Sequence, residues 1–146
     1  MPCNISATVR HIGVANHDVT QIVARIFHRL RTPRAIVSIH FVGDRRMRRL
    51  NRLYRGLDRP TDVLSFAVKE GPRLVHSDTD DWGDIFLDVP YIQRQARRLH
   101  ISYREECLRM LIHGILHSAG YDHVKGTDAA MMFALQESLL KKTASL

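Results

Sequence analysis

The stretch AIVSIHFVGDRRMRRLNRLY, residues 35–54, decides how the chain folds. Val37, Ile39 and Phe41 alternate with Ser38 and His40, the two-residue period of a strand with one buried face. From Asp44 the period changes. Arg45, Arg48, Arg49 and Arg52 recur three and four residues apart, while Leu50, Leu53 and Tyr54 supply an inward side. That is an amphipathic helix running to about Tyr54, with Asp44 as its expected cap. A strand that feeds directly into a helix is the unit of an α/β fold.

The flanks extend the pattern. Ile5, Ala7 and Val9 alternate within residues 1–10 and predict a first strand. Asp18 is expected to cap a helix carrying Val19, Ile22, Val23, Ile26, Phe27 and Leu30 at helical spacing, and Thr32-Pro33 stops it. Downstream, the turn-rich RGLDRPTD leads into VLSFAV, a third strand at 63–68. Residues 69–83, with Gly71-Pro72 and the acids Asp78, Asp80 and Asp81, read as a surface loop, and GDIFLD (83–88) as a fourth strand. Helical patterns cover about 90–99, 104–119 and 127–142. The expected architecture is one α/β domain over residues 1–146, a small mixed sheet of about four strands packed with helices. Strand order stays open.

Composition bounds the function. At 146 residues the chain can bury a core without staples, and its two cysteines, Cys3 and Cys107, are too few for a disulfide scaffold. A reducing, cytoplasmic setting is the simpler expectation, with Cys107 in the core. No apolar run reaches membrane-spanning length, and the opening residues lack the pattern of a secretion signal. We therefore expect no membrane partner. Twenty-two basic residues against 15 acidic ones give a formal charge of +7, which favours a polyanionic partner.

The chemistry concentrates in HGILHSAGYDH, residues 113–123. Positions i and i+4 share a helix face, so His113 and His117 can point at one centre. Gly120 can end the helix in a left-handed conformation and bring His123 into reach. Three imidazoles and a position left to water is a common way to hold catalytic zinc, although nickel or copper also suits such ligands in vitro. The site is thus expected on the C-terminal helical part. The glutamate of zinc proteases, which directly follows the first histidine, is replaced by Gly114. A helical glycine costs about 1 kcal/mol relative to alanine, so it must serve close packing or access to the metal. Asp122 either orients an imidazole or stabilises a turn. Met110, Met131 and Met132 read as core filler. His40 decorates a sheet face, and His11, His17, His28, His76 and His100 are scattered.

Two further groups of residues bear on the substrate. The arginines of 45–52 are barely offset by acids, and guanidinium bonds two phosphate oxygens at once. They form either a phosphodiester track or a solvated face. Arg55 and Arg59 are expected in the loop after that helix, where an arginine beside a metal can neutralise charge developing on phosphorus.

Taken together, LNRLYRGLDRPTDVLSF (50–66), GDIFL (83–87), HGILHSAGYDH (113–123) and the terminal MMFALQE (131–137) resemble the YbeY family of endoribonucleases and rRNA maturation factors. The resemblance implies one zinc ion held by residues matching His113, His117 and His123, with no organic cofactor. It implies metal-dependent cleavage of single-stranded RNA in 16S rRNA 3′-end maturation and ribosome quality control, with the ribosome or its small subunit as partner. It also implies catalytic roles for Arg55 and His113. Arg45, Arg48, Arg49, Arg52 and Arg59 would then hold flanking RNA. The family often carries proline after Ser-Phe; here Ala67 stands there. Two rivals remain: a ribosome-associated RNA-binding factor with a structural metal, and a metallohydrolase for another substrate.

Overall fold

The computed structural model describes residues 2–67, 80–120 and 126–143. Within them the order is β1 (Cys3–Ala7), α1 (Asn16–Arg29), β2 (Ala35–Val42), α2 (Asp44–Arg55), β3 (Val63–Phe66), β4 (Asp80–Asp88), α3 (Val89–Leu99), α4 (Tyr103–Ser118) and α5 (Gly126–Thr143). The strands form one mixed sheet in the order β1-β2-β4-β3. β1, β2 and β4 run parallel, and β3 pairs antiparallel with β4 along its edge. The mixed four-strand α/β expectation holds, and the order it left open is now fixed.

The alternation read in β2 is present in three dimensions. Val37, Ile39 and Phe41 are fully buried in the main core, while Ser38 and His40 occupy the opposite face. In β4 the register shifts between Ile36 and Ser38 of its partner, beside Gly83 at φ +96°. This bulge lets Trp82 and Ile85, three residues apart, both enter the core. It also explains why the acidic segment misled the sequence reading. Asp80 and Asp81 begin β4 rather than closing a loop.

The sheet is covered unequally. On one face α1 and α4 pack against it, with α5 against both of them. Ile22, Ile26, Leu111, Ile112 and Ile115 fill this side completely, and Phe27 meets Trp82 edge-on at 5.0 Å. The other face carries only α2 among the described elements, through a small cluster of Val42, Met47 and Leu64.

Three local expectations need correction. α1 starts at Asn16 with Ala15 at its cap, so Asp18 lies inside the first turn, favourable there to the helix dipole. α2 likewise has Gly43 at its cap, and Asp44 is its first residue. Instead of capping, Asp44 accepts two bonds from Arg94 of α3 at 2.9 and 3.0 Å. Met131 is exposed, unlike the buried Met132.

Candidate active site

α4 has a clear start. Ser102 accepts the amide of Glu105 at 3.1 Å, a cap followed three residues later by glutamate. Its middle is nearly apolar all round because it is enclosed by the sheet, α1, α3 and α5. At Gly114 the helix lies close against the sheet. A Cβ built there would stand 3.0 Å from Ile85 Cγ2, 3.1 Å from Ser65 Oγ and 3.1 Å from Val63 Cγ2. Ser65 Oγ donates to the Gly114 carbonyl at 3.0 Å, tying β3 to α4. The glycine therefore serves close packing, and that approach sets the histidines on either side of it beside β3.

His113 is half-buried and His117 exposed, and their ring centroids are 6.4 Å apart. Both line a cleft of about 320 Å³ shared with Arg55, Thr61, Asp62, Val63, Leu64 and Ser65. Two imidazoles on one tetrahedral zinc place their centroids about 5 Å apart. The observed 6.4 Å is wider than that spacing. His123 and Asp122 lie outside the described residues, and among the described residues no group of three or more His, Cys, Asp or Glu is placed to hold a metal.

Arg55 reaches the cleft from the last turn of α2 rather than from a loop. Gly56, left-handed at φ +70°, ends that helix immediately after it. The following loop is held from within. Buried Asn51 donates from Nδ2 to the Arg59 carbonyl at 2.8 Å, and Asp62 accepts the Val63 amide at 2.7 Å. Arg59 itself stands outside the cleft lining. Arg45, Arg48, Arg49 and Arg52 border a separate shallow hollow of about 240 Å³. Arg48 is offset by an acid after all, forming a two-pronged pair with Asp58 at 2.8 and 3.0 Å.

The residues that orient the site were not anticipated. His113 Nδ1 lies 2.8 Å from Gln136 Oε1 on α5. Gln136 Nε2 donates to Glu137 at 3.2 Å, which fixes the amide with its oxygen toward the histidine. Nδ1 of His113 therefore carries the proton, and Nε2 is the nitrogen with a lone pair to offer. Glu137 is gripped by Arg109, which also bonds Glu106 at 2.8 Å. Gln95 completes the path, donating to both Glu106 and Asp62. The chain of polar groups leaves the cleft at His113 and returns to it at Asp62. No short spacing announces this, because its members come from α3, α4, α5 and the loop before β3. The one local sign was polar Gln136 on a helix otherwise buried through Met132, Leu139 and Leu140.

An arginine and two imidazoles converging on one cleft, on a helix locked against a mixed sheet, form the equipment of a small α/β enzyme for anionic substrates. The profile of the family described as "Endoribonuclease YbeY" matches residues 4–144. A relative of that description from Persephonella marina is 38% identical over 139 residues, spanning 91% of this chain and 86% of its own. Another, from Geobacillus kaustophilus, is 42% identical over 113 residues, 74% of this chain and 72% of its own. The solution structure of a Thermotoga maritima protein superposes with a TM-score of 0.71 at 26% identity, covering 97% of this chain and 88% of that one. The chain belongs to the endoribonuclease YbeY family.

Proposed function

We propose that this protein is a zinc-dependent endoribonuclease of single-stranded RNA, with His113, His117 and His123 holding the metal and Arg55 engaging the scissile phosphate. The observation that carries this is the shared cleft of His113, His117 and Arg55, in which the Gln136 contact directs the lone pair of His113 to Nε2. An all-imidazole donor set suits zinc. Bound zinc would supply Lewis acidity toward a phosphodiester and make a nearby water more acidic.

The protein's own residues do the rest. Arg55 binds a non-bridging phosphate oxygen and offsets charge that grows as the phosphorus becomes five-coordinate. Asp62 and Ser65 line the cleft together with the histidines. Asp62 is held by the Val63 amide and Gln95, so its carboxylate is placed before substrate arrives. The wider reading is 16S rRNA 3′-end maturation and ribosome quality control in the cytoplasm, which the family resemblance supports. No described helix is long and apolar enough to cross a membrane, and that accords with it.

The test is zinc content together with cleavage of a single-stranded RNA by the wild type, His117→Ala, Arg55→Ala and chelator-treated protein. We expect loss of zinc and cleavage in His117→Ala, and loss of cleavage with zinc retained in Arg55→Ala. RNA cleavage that survives His117→Ala would overturn the metalloenzyme reading. Zinc bound without cleavage would point to a binding factor. A 5′-phosphate product would indicate attack by water, and a 2′,3′-cyclic phosphate attack by the ribose 2′-hydroxyl. Purified small-subunit precursors trimmed at the 16S 3′ end would support the ribosomal role.

A further inference from the structure

The face of the sheet that α2 covers only in part, among the described elements, carries a row of rings, of which Phe66 and Phe86 pack against the Val42, Met47 and Leu64 cluster. Tyr54, at the cleft end of α2, meets Phe66 of β3 with centroids 5.0 Å apart. Phe66 meets Phe86 of β4 at 5.7 Å, and Phe86 stacks on His40 of β2 at 4.5 Å with ring planes within 20°. The row thus starts beside Arg55 and crosses three adjacent strands.

On the opposite face the aromatic residues Phe27, Phe41 and Trp82 are almost wholly buried. Here Tyr54 is 65% exposed, and Phe66, Phe86 and His40 are only half-buried. His40 is held upright by both ring nitrogens, Nδ1 at 2.6 Å from Ser6 Oγ and Nε2 at 2.7 Å from Asp84 Oδ1. Positive charge lies along the α2 side. The Arg46 guanidinium sits over the Phe86 ring at 5.8 Å, and Arg45, Arg49 and Arg52 stand on the same helix.

We infer that this face is a stacking track on which single-stranded RNA lies as it leaves the cleft, bases against the rings and phosphates toward the arginines of α2. The inference rests on the endoribonuclease reading and gives it a direction across the molecule. Rings interleaved with arginine suit unpaired bases, because every base has a π-face and every linkage a charge. A duplex keeps its bases stacked internally and offers nothing to such a row. The carboxylate of Asp84, bonded to His40 at the end of the row away from Tyr54, repels phosphates and keeps them to the arginine side.

The test combines a labelled 12-nucleotide single strand, a duplex of the same sequence, and the strand with 5-iodouridine for photo-crosslinking. Tyr54→Ala is expected to weaken single-strand binding about fivefold or more, the loss of one base–ring stack. Tyr54→Phe should restore it, duplex binding should be unchanged, and crosslinks should map to Tyr54, Phe66 or Phe86. Cleavage by a wild type whose single-strand affinity ignores Tyr54→Ala, with crosslinks elsewhere, would overturn the track and leave the nuclease standing. Binding on the track without cleavage would do the reverse. A wild type that neither binds nor cleaves RNA would overturn both.

Discussion

The two faces of the sheet obey different rules. On the α4 side the apolar positions are filled, and one network of polar groups runs through it from His113 to Asp62. On the α2 side only Met47 and Asn51 of the covering helix are buried, and its arginines lie toward solvent. The first arrangement fixes a few atoms accurately, which a reacting centre needs. The second presents charge and ring surface over a wide area, which suits a long, flexible polyanion. The contrast teaches that precision and reach are built on opposite sides of a single sheet.

Breaking the network gives the largest effect. Glu106 is 2% exposed and takes its charge partner from Arg109. Arg109→Ala leaves that carboxylate buried without its cation, and we expect a loss of about 3–5 kcal/mol in urea unfolding. Glu106→Gln in the same background should recover part of it, since the uncompensated charge is then gone. A loss below about 1 kcal/mol, the range of exposed ion pairs, would show that the network is solvated and that the two faces are alike.

Next in size is the link between α5 and His113. Gln136→Leu is nearly isosteric but offers no acceptor to Nδ1, so His113 is free to place its proton on either nitrogen. Partners of this kind typically control metal affinity by about 10–100-fold. We expect zinc retention against a chromogenic chelator to fall within that range while the fold survives. The tautomer is open to direct measurement: nitrogen chemical shifts of the wild-type ring should show Nδ1 protonated, and Gln136→Leu should show a mixture.

How much of this was legible beforehand follows the same division. α2 and β2 could be read from residues 35–54 because each has one wet and one dry face, and alternation is the trace of that asymmetry. The i, i+4 histidines and the packing glycine between them were also legible, since one helix carries them all. Asp62, Gln95, Gln136 and Glu137 were not, because their partners are distant in sequence. Caps were misplaced by one or more residues where an acid near the start of a helix serves another partner, as Asp44 serves Arg94. The extra residue at Gly83 hid the first part of β4, since a bulge breaks the alternation by which strands are recognised.

The faces should also respond to pH with opposite signs. On the α4 side burial raises the Glu137 carboxyl, but its bonds to Arg109 and Gln136 together dominate and hold the pKa below the usual 4.5. Its contribution is present above that value and is lost as pH falls through the folded pKa. On the α2 side Asp88 is fully buried, with Oδ1 accepting the Tyr91 amide and Oδ2 without a hydrogen-bond partner among the described residues, and the Asp44 carboxyl acts on it as a second acid. Burial first, then the Asp44 carboxyl, push the Asp88 pKa up from 3.8 to about 8. The folded state binds this proton more tightly than the unfolded chain. Its stabilising effect is therefore full below pH 3.8 and is lost as pH rises toward 8. Asp88→Asn keeps an acceptor for the Tyr91 amide and needs no proton. We expect it to raise the melting temperature at about pH 8 and to flatten the slope between about pH 5 and 8. An unchanged slope would remove Asp88 as its source.

The smallest stability effect belongs to the arginines of α2, and it separates surface from site. Arg49 is exposed, with no salt bridge among those found between described residues. Arg49→Ala should change stability by less than about 0.5 kcal/mol. Its effect should instead appear in RNA affinity, lowering the slope of log K against log salt by about one for each phosphate left without its cation. Arg48→Ala provides the internal comparison. Its guanidinium is committed to Asp58, so it should change the salt slope less than Arg49→Ala does. Equal slopes for both variants and the wild type would make the stripe a solvated face. RNA binding would then owe nothing to the charge of α2, and the electrostatic half of the division between the faces would fall with it.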